Sequence, residues 1–221
     1  MFAECIVLAV TIRGVRIVQA RIGEVIESTT TGFIAGAYEL LQAPPFGSLV
    51  RAQARAEGTV VYGLVYEIRT GSKEPGGRAL VRGRTYAGRE LYDAEIYHEH
   101  PDLAEVLQTE FSAITVGFVD GGRIRQYLPP QPPPVHYSVY ECTGDELVRF
   151  TEATDFFRTL LFASQIPSDE LLAAVIRSAA RARASAEGAE RAYLVHAGRE
   201  VASLLKDDYD RLTAILRRIR P

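Results

Sequence analysis

Between Ile22 and Tyr86 the apolar side chains come in short β-branched runs punctuated by Gly and Pro, and an apolar period of 3.6 never persists over three turns. The runs predict strands near 22–28, 33–39, 48–54, 59–69 and 79–86. Turns are expected at Thr31-Gly32, Pro44 to Gly47, Glu57-Gly58 and Gly71 to Gly77. Five or six strands of this length can cover one another only by curling into a barrel, because a flat sheet leaves one apolar face wet. Upstream, the apolar run Cys5 to Ile12 predicts a strand, followed by a turn at Arg13-Gly14 and a second β-branched run, Val15 to Val18.

Pro101 opens a segment, Asp102 to Gln108, in which Leu103, Val106 and Leu107 suit a short helix. Ile114 to Val119, the turn Asp120-Gly121-Gly122 and a short strand to Tyr127 predict a hairpin. Pro129 to Pro134 holds five prolines in six residues, which imposes an extended chain that cannot join a central strand. After Gly144 the punctuation thins and the pattern turns helical. Phe150, Ala153, Phe156, Phe157, Leu160 and Leu161 keep one face apolar up to Pro167. Ser168, with Asp169 and Glu170 behind it, predicts the N-cap of a helix carrying Leu171, Leu172, Val175 and Ile176. Beyond Gly188 a last helix places Ala202, Leu205, Tyr209, Leu212, Leu216 and Ile219 at alternating steps of three and four, a seam suited to another helix. That helix partner is either the one starting at Ser168 or a second copy of the chain. The expected fold is α+β: a small β-barrel with appended β-structure over 1–128, a Pro-rich bridge and strand over 129–144, and a helical segment over 145–221.

Composition narrows the function classes. The apolar share of 47% and charged share of 24% are those of a globular chain, so disorder is not expected outside loops. A formal charge of −3 supplies no general attraction to nucleic acid. The first apolar run follows Glu4 instead of a basic segment and is about eight residues, against the ~20 a membrane helix requires. Cys5 and Cys142 lie too far apart in sequence to read as a metal pair or redox motif, and free thiols in a cytoplasmic protein are expected.

The stretch IGEVIESTTTGF at Ile22 to Phe33, then FGSLV at Phe46 to Val50 and VVYGLVYEI at Val60 to Ile68, resembles the HAS barrel. That small β-barrel is shared by HerA-type DNA-translocating ATPases and the catalytic subunits of ATP synthase. Gly23 and Gly63 would permit the tight coiling such a barrel demands. LPPQPPPVHYSVYE, Leu128 to Glu141, resembles the proline-rich bridge that leads from the HerA-like barrel into the ATPase core. Where that core would begin, this sequence has helices. Catalysis of the family's kind needs a Gly-rich turn ending in Lys-Ser or Lys-Thr, yet Lys73 precedes Glu74 and Lys206 precedes Asp207. The resemblance therefore implies the barrel's role, a collar and docking surface on a ring, without its nucleotide chemistry.

Other clusters carry residue types capable of chemistry. Asp93, Glu95, His98, Glu99, His100 and Asp102 form the densest polar group; on a strand His98 and His100 would share a face and chelate a metal, but no Cys or third His is near in sequence. Ser138 or Cys142 with His136 could make a nucleophile and base, though neither sits in a strand-turn-helix elbow. His196 reads as a helix-face residue. No catalytic, cofactor or metal residue is assigned. Nucleic-acid contact, weak or indirect, is expected only at Arg78, Arg82, Arg84 and Tyr86, where basic side chains alternate with Gly near an aromatic. Leu205, Tyr209, Leu212, Leu216 and Ile219 form the candidate seam for self-association or a partner. The function expected is a non-catalytic barrel module docking on itself or on a ring ATPase in DNA processing, with a single-stranded nucleic-acid-binding barrel as the alternative.

Overall fold

The structure, a computed structural model, describes residues 9–12, 15–18, 20–84 and 88–220. Strands β1 (Ala9–Ile12) and β2 (Val15–Val18) pair antiparallel as a separate two-stranded ribbon. Cys5 to Leu8 and the Arg13-Gly14 turn lie outside the described residues.

Six strands build the barrel: β3 (Arg21–Ser28), β4 (Gly32–Ala37), β5 (Leu49–Gln53), β6 (Val60–Ser72), β7 (Leu107–Asp120) and, after the proline run, a strand at Ser138–Glu141. A three-residue strand, β8 (Arg123–Arg125), lies outside on the flank of β7, so the sixth barrel strand is β9. The order is β4-β3-β9-β5-β6-β7, all antiparallel, and β7 returns to pair with β4, with Gly36 opposite Glu110 and Gly32 opposite Ile114. Closure leaves no free edge within the barrel itself. The inner face of each strand is apolar: Val25, Phe33, Ala35, Val50, Ala52, Val65, Phe111, Ala113 and Val139 form one buried cluster. Space for Phe33 comes from Gly63, where an added Cβ would meet the Phe33 ring and Ala113 Cβ, both at 2.9 Å. At Gly23 an added Cβ would collide with the Gly36 carbonyl oxygen across the β3–β4 pair.

The segment 129–144 does more than bridge. The proline run stays outside the ladders, with the Pro133 carbonyl accepting from Ser28 Oγ at 2.6 Å, and delivers β9 between β3 and β5, Val139 opposite both Gly23 and Ala52. A domain ending at Leu128 would therefore lack its closing strand. The run Asp102 to Gln108, expected as a helix, is helical only at α2 (Leu103–Val106), because Leu107 and Gln108 already pair with Ser72 and Gly71 of β6. Residues 79–83 form no strand, and Arg84 makes an isolated bridge to Glu90; residues 85 and 86, the end of the expected strand, lie outside the described residues.

The outer face of β5, β6 and β7 is also apolar, through Leu49, Tyr62, Leu64 and Val116, and five helices cover it. These helices follow α1 (Ala94–Glu99) and α2 in the β6–β7 connection. They are α3 (Gly144–Phe150), α4 (Phe156–Leu161), α5 (Ser168–Ala182), α6 (Ala189–Leu204) and α7 (Tyr209–Ile219). Helix α5 is buried nearly all round and packs against α3, α4, α6 and α7. Its cap is Pro167, not Ser168; the Ser168 hydroxyl instead donates to the Ala163 carbonyl at 2.8 Å. The last helix is two helices, since the chain breaks after Leu204 and Asp208 caps α7 by accepting from Arg211 N–H at 3.1 Å. No helix among the described residues is long and apolar enough to cross a membrane.

Gly63→Leu is expected to overpack the barrel and lower stability by about 1–3 kcal/mol, read as a fall in the urea midpoint. Ile215→Ala, in the fully buried face of α7, is expected to cost about 2–5 kcal/mol in the same measurement while leaving the protein folded.

Candidate functional site

The barrel interior is filled by side chains, so chemistry or recognition has to sit on the outside. The largest feature there is the connection between β6 and β7, residues 73–106, which folds over an open cavity of about 600 Å³ lined by both apolar and basic side chains, including Lys73, Arg78, Leu80, Arg82, Tyr97 and Leu103. This connection forms because β6 and β7 run on together past the barrel to the pair Ser72–Leu107, and the chain must then travel from one strand to the other. Leu103 is buried, whereas Leu80 and Val81 are 78% and 97% exposed and Tyr92 and Tyr97 are also exposed. Sequence alone hides Leu80 and Val81, since 79–86 has the pattern of a strand in which alternate residues would be buried.

The same connection holds the residues predicted to touch nucleic acid, and most of their charge is already answered. Arg82 approaches Asp102 at 3.9 Å, Arg84 approaches Glu90 at 3.8 Å, and Lys73 Nζ donates to the Ala104 carbonyl at 2.8 Å. Arg78 has no ion-pair partner among the described residues. Tyr86 lies outside the described residues. The structure thus gathers Arg78 and Arg82 at one cavity, with Arg84 beyond its lining and paired to Glu90.

The acidic and histidine cluster does not converge. His98 sits in the last turn of α1 and His100 is its C-cap, so the strand geometry that would align the two rings is absent. Among the described residues no group of three or more His, Cys, Asp or Glu is placed to hold a metal ion. His136 sits in a turn at φ +69° and meets Glu24 Oε1 at 3.2 Å, exposed to solvent. Ser138 is taken up in the β9 ladder opposite Glu24. Cys142 follows β9, donates its N–H to the Leu49 carbonyl, and has its thiol pushed well above 9.0, first by burial and then by the nearby Glu146 carboxylate. A buried neutral thiol is a poor nucleophile. His196 is exposed on α6.

The seam residues divide. Leu205 and Ile219 are buried within the chain, and Leu212 and Leu216 pack against the same cluster, whereas Tyr209 is 75% exposed. Helix α7 is held down by Arg211, whose guanidinium donates to Asp169 at the start of α5 and to the Leu161 carbonyl at 2.8 Å, and by the Arg218–Glu170 pair. Ile215, fully buried between Leu212 and Leu216, was missing from the predicted seam although it falls on the same helix face.

The junction of barrel and helices is the most tightly built polar site. Arg51 on β5 meets Glu146 at 3.0 Å, with both side chains largely buried, and lies over the Tyr140 ring of β9 at 4.9 Å. Glu146 is also part of a capping box: its carboxylate accepts from Thr143 N–H at 2.8 Å while the Thr143 hydroxyl accepts from Glu146 N–H at 3.2 Å. Tyr62 lies close by, and burial pushes its phenol from 10.0 up to about 12. Glu146 thus ties β5 to the start of α3, which marks the junction as architecture.

Residues 22–121 match the family model of the HAS barrel domain. No curated protein matches the chain.

The Tyr62 phenol gives a pH dependence of defined sign. Below pH 10 it is neutral both folded and unfolded; between pH 10 and about 12 only the unfolded chain ionises, so stability falls as pH rises through that window. Urea melts across this range are expected to show the decline, and Tyr62→Phe is expected to flatten it.

Proposed function

Residues 22–121 are a HAS barrel domain, and from that premise we propose that the chain is a non-catalytic barrel module, an assembly or adaptor subunit that docks on itself or on a HerA-like ring ATPase in DNA processing. The observation that carries this reading is the pairing of a side-chain-filled barrel with an exposed apolar connection: Leu80, Val81, Tyr92 and Tyr97 stand out on residues 73–106, where a protein partner would cover them. The two lysines support it further. Neither Lys73 nor Lys206 is followed by Ser or Thr, so neither can serve a phosphate-binding loop of the family's kind.

Single-stranded nucleic-acid binding is the second reading, favoured by Arg78 and Arg82 beside Tyr97 at the same cavity. The carboxylates of Asp102 and Glu90 compete with phosphate for Arg82 and Arg84, which ranks this reading below protein docking. The protein acts without hydrolysing ATP, and its place of action is the cytoplasm.

Capture from native cells with the intact chain as bait is expected to retrieve a ring ATPase or further copies of the chain, and Val81→Asp combined with Leu80→Asp is expected to abolish that capture without lowering the melting temperature. Retention of every partner by the double variant would overturn docking through this connection. Nucleic-acid binding, followed by fluorescence anisotropy, is expected to be weak and sequence-independent, with a log–log salt slope of roughly −2 to −3 for about three phosphate contacts. Tight, sequence-selective binding at physiological salt would instead establish the second reading.

A further inference from the structure

The barrel is closed, but β6 and β7 outrun it, and among the described residues β6 has no strand on its far side there. β5 pairs with β6 only from Val60 to Leu64, and the Ser48 and Gly47 backbone continues the ladder as far as Val65. From there β6 is paired on its β7 side alone, through Ser72 opposite Leu107. Among the described residues no strand lies along its other edge, and Glu67, Ile68, Arg69 and Thr70 are all exposed, Ile68 at 44%. A free edge in extended conformation is a template for another strand, and charged side chains on it are the usual means of blocking such pairing.

Here the charges have a different consequence, because Glu67 and Arg69 are of opposite sign and stand two residues apart on the same face of the strand. We propose that the β6 edge pairs antiparallel with the same edge of a second copy of this chain, about a two-fold axis through Ile68. That register sets Glu67 opposite the partner's Arg69 and Arg69 opposite the partner's Glu67, making two equivalent ion pairs. It sets Tyr66 opposite the partner's Thr70 and covers Ile68 with the partner's Ile68. A two-fold pairing is necessarily self-complementary, and of the registers this edge offers, the one centred on Ile68 alone brings the two opposite charges face to face. A register centred on Arg69 puts like charges on the axis, and one centred on Glu67 does the same. Within each chain Arg69 is also the cross-strand neighbour of Glu110 on β7. The pairing joins two barrels edge to edge through their β6–β7 arms, with the ion pairs on the sheet face that carries Leu64 and Ile114. It rests on the assembly reading and deepens it, by naming the partner as this chain itself and the surface as one strand.

Charge reversal tests the register. Glu67→Arg alone and Arg69→Glu alone each turn both interchain pairs repulsive and are expected to weaken self-association, measured by sedimentation velocity, by about tenfold or more. The double variant E67R/R69E restores opposite signs and is expected to recover it. Ile68→Cys supplies an independent reading, since residues facing each other across an antiparallel pair have Cα atoms about 4.5–5.5 Å apart, within reach of a disulfide. Mild oxidation is expected to cross-link Ile68→Cys chains into dimers, beyond any cross-linking of wild type, while Thr70→Cys, placed opposite Tyr66, does not cross-link. Circular dichroism on each variant checks that it is folded. A protein that stays monomeric at its highest attainable concentration overturns the proposal. So does an oligomer indifferent to both single reversals and unlinked at position 68; that result leaves the broader assembly reading standing, to be decided by partner capture.

Discussion

Barrel closure is the constraint on which the rest of the molecule depends. Five strands from a continuous stretch, β3 to β7, curl far enough for β4 to meet β7, but a gap between β3 and β5 remains, and only β9 fills it. Without Val139 the interior cluster would be open to water at Val25 and Val50, and the backbone groups of two strands would lack partners. The chain must therefore come back to the barrel after leaving it at β8. The proline run suits that return, since an extended segment without free N–H groups can cross outside strands without competing for their ladder.

Because β9 is anchored in the barrel, so is everything after it. Thr143 stands two residues beyond Glu141 and caps α3, and the Glu146 carboxylate that completes the capping box also binds Arg51 of β5. One carboxylate thus fixes a helix start, a strand side chain and the angle at which the helical layer leaves the barrel. Separating a largely buried ion pair of this kind leaves an uncompensated charge, at a cost of about 3–5 kcal/mol. Gln126 makes a second tie: its amide donates to the Phe150 and Ala153 carbonyls at 2.7 and 3.1 Å, and its Oε1 accepts from Phe156 N–H at 3.2 Å, joining the end of α3 to the start of α4. The helices and barrel share one apolar cluster from Leu49 and Tyr62 through α5 to Ile219, so they stand or fall together.

What the sequence disclosed was whatever depends on near neighbours. Alternation and Gly or Pro punctuation located β3 to β6, and the apolar periodicity located the helices. What it concealed depends on distant partners. Ser138 to Glu141 has the local pattern of a strand following a bridge, and nothing local says that its two neighbours are residues 21–24 and 50–52. The start of β7 looks helical in sequence because Leu103, Val106 and Leu107 have helical spacing; pairing with Gly71 and Ser72 overrides it after Val106. The spacing of the terminal seam carries one helix through Lys206-Asp207-Asp208, although an Asp that can cap is also a place for a helix to begin. The candidate surfaces were half legible: the basic residues of the β6–β7 connection stand out in sequence, but the carboxylates that neutralise them come from as far as Asp102.

That neutralisation decides what kind of surface the molecule presents. A basic groove works on phosphate when its cations are free to release counterions, and here Arg82, Arg84 and Lys73 are already engaged within their own connection. The apolar residues beside them have no such internal outlet, because Leu80 and Val81 stay largely exposed among the described residues. The same contrast holds on β6, where the interior-facing residues end at Val65 and the strand nevertheless continues for seven residues. A strand that continues past the core it serves gains no burial from its own chain. Its hydrogen-bonding edge and the apolar connection beyond it are therefore surfaces on which the docking proposed above would lower the free energy.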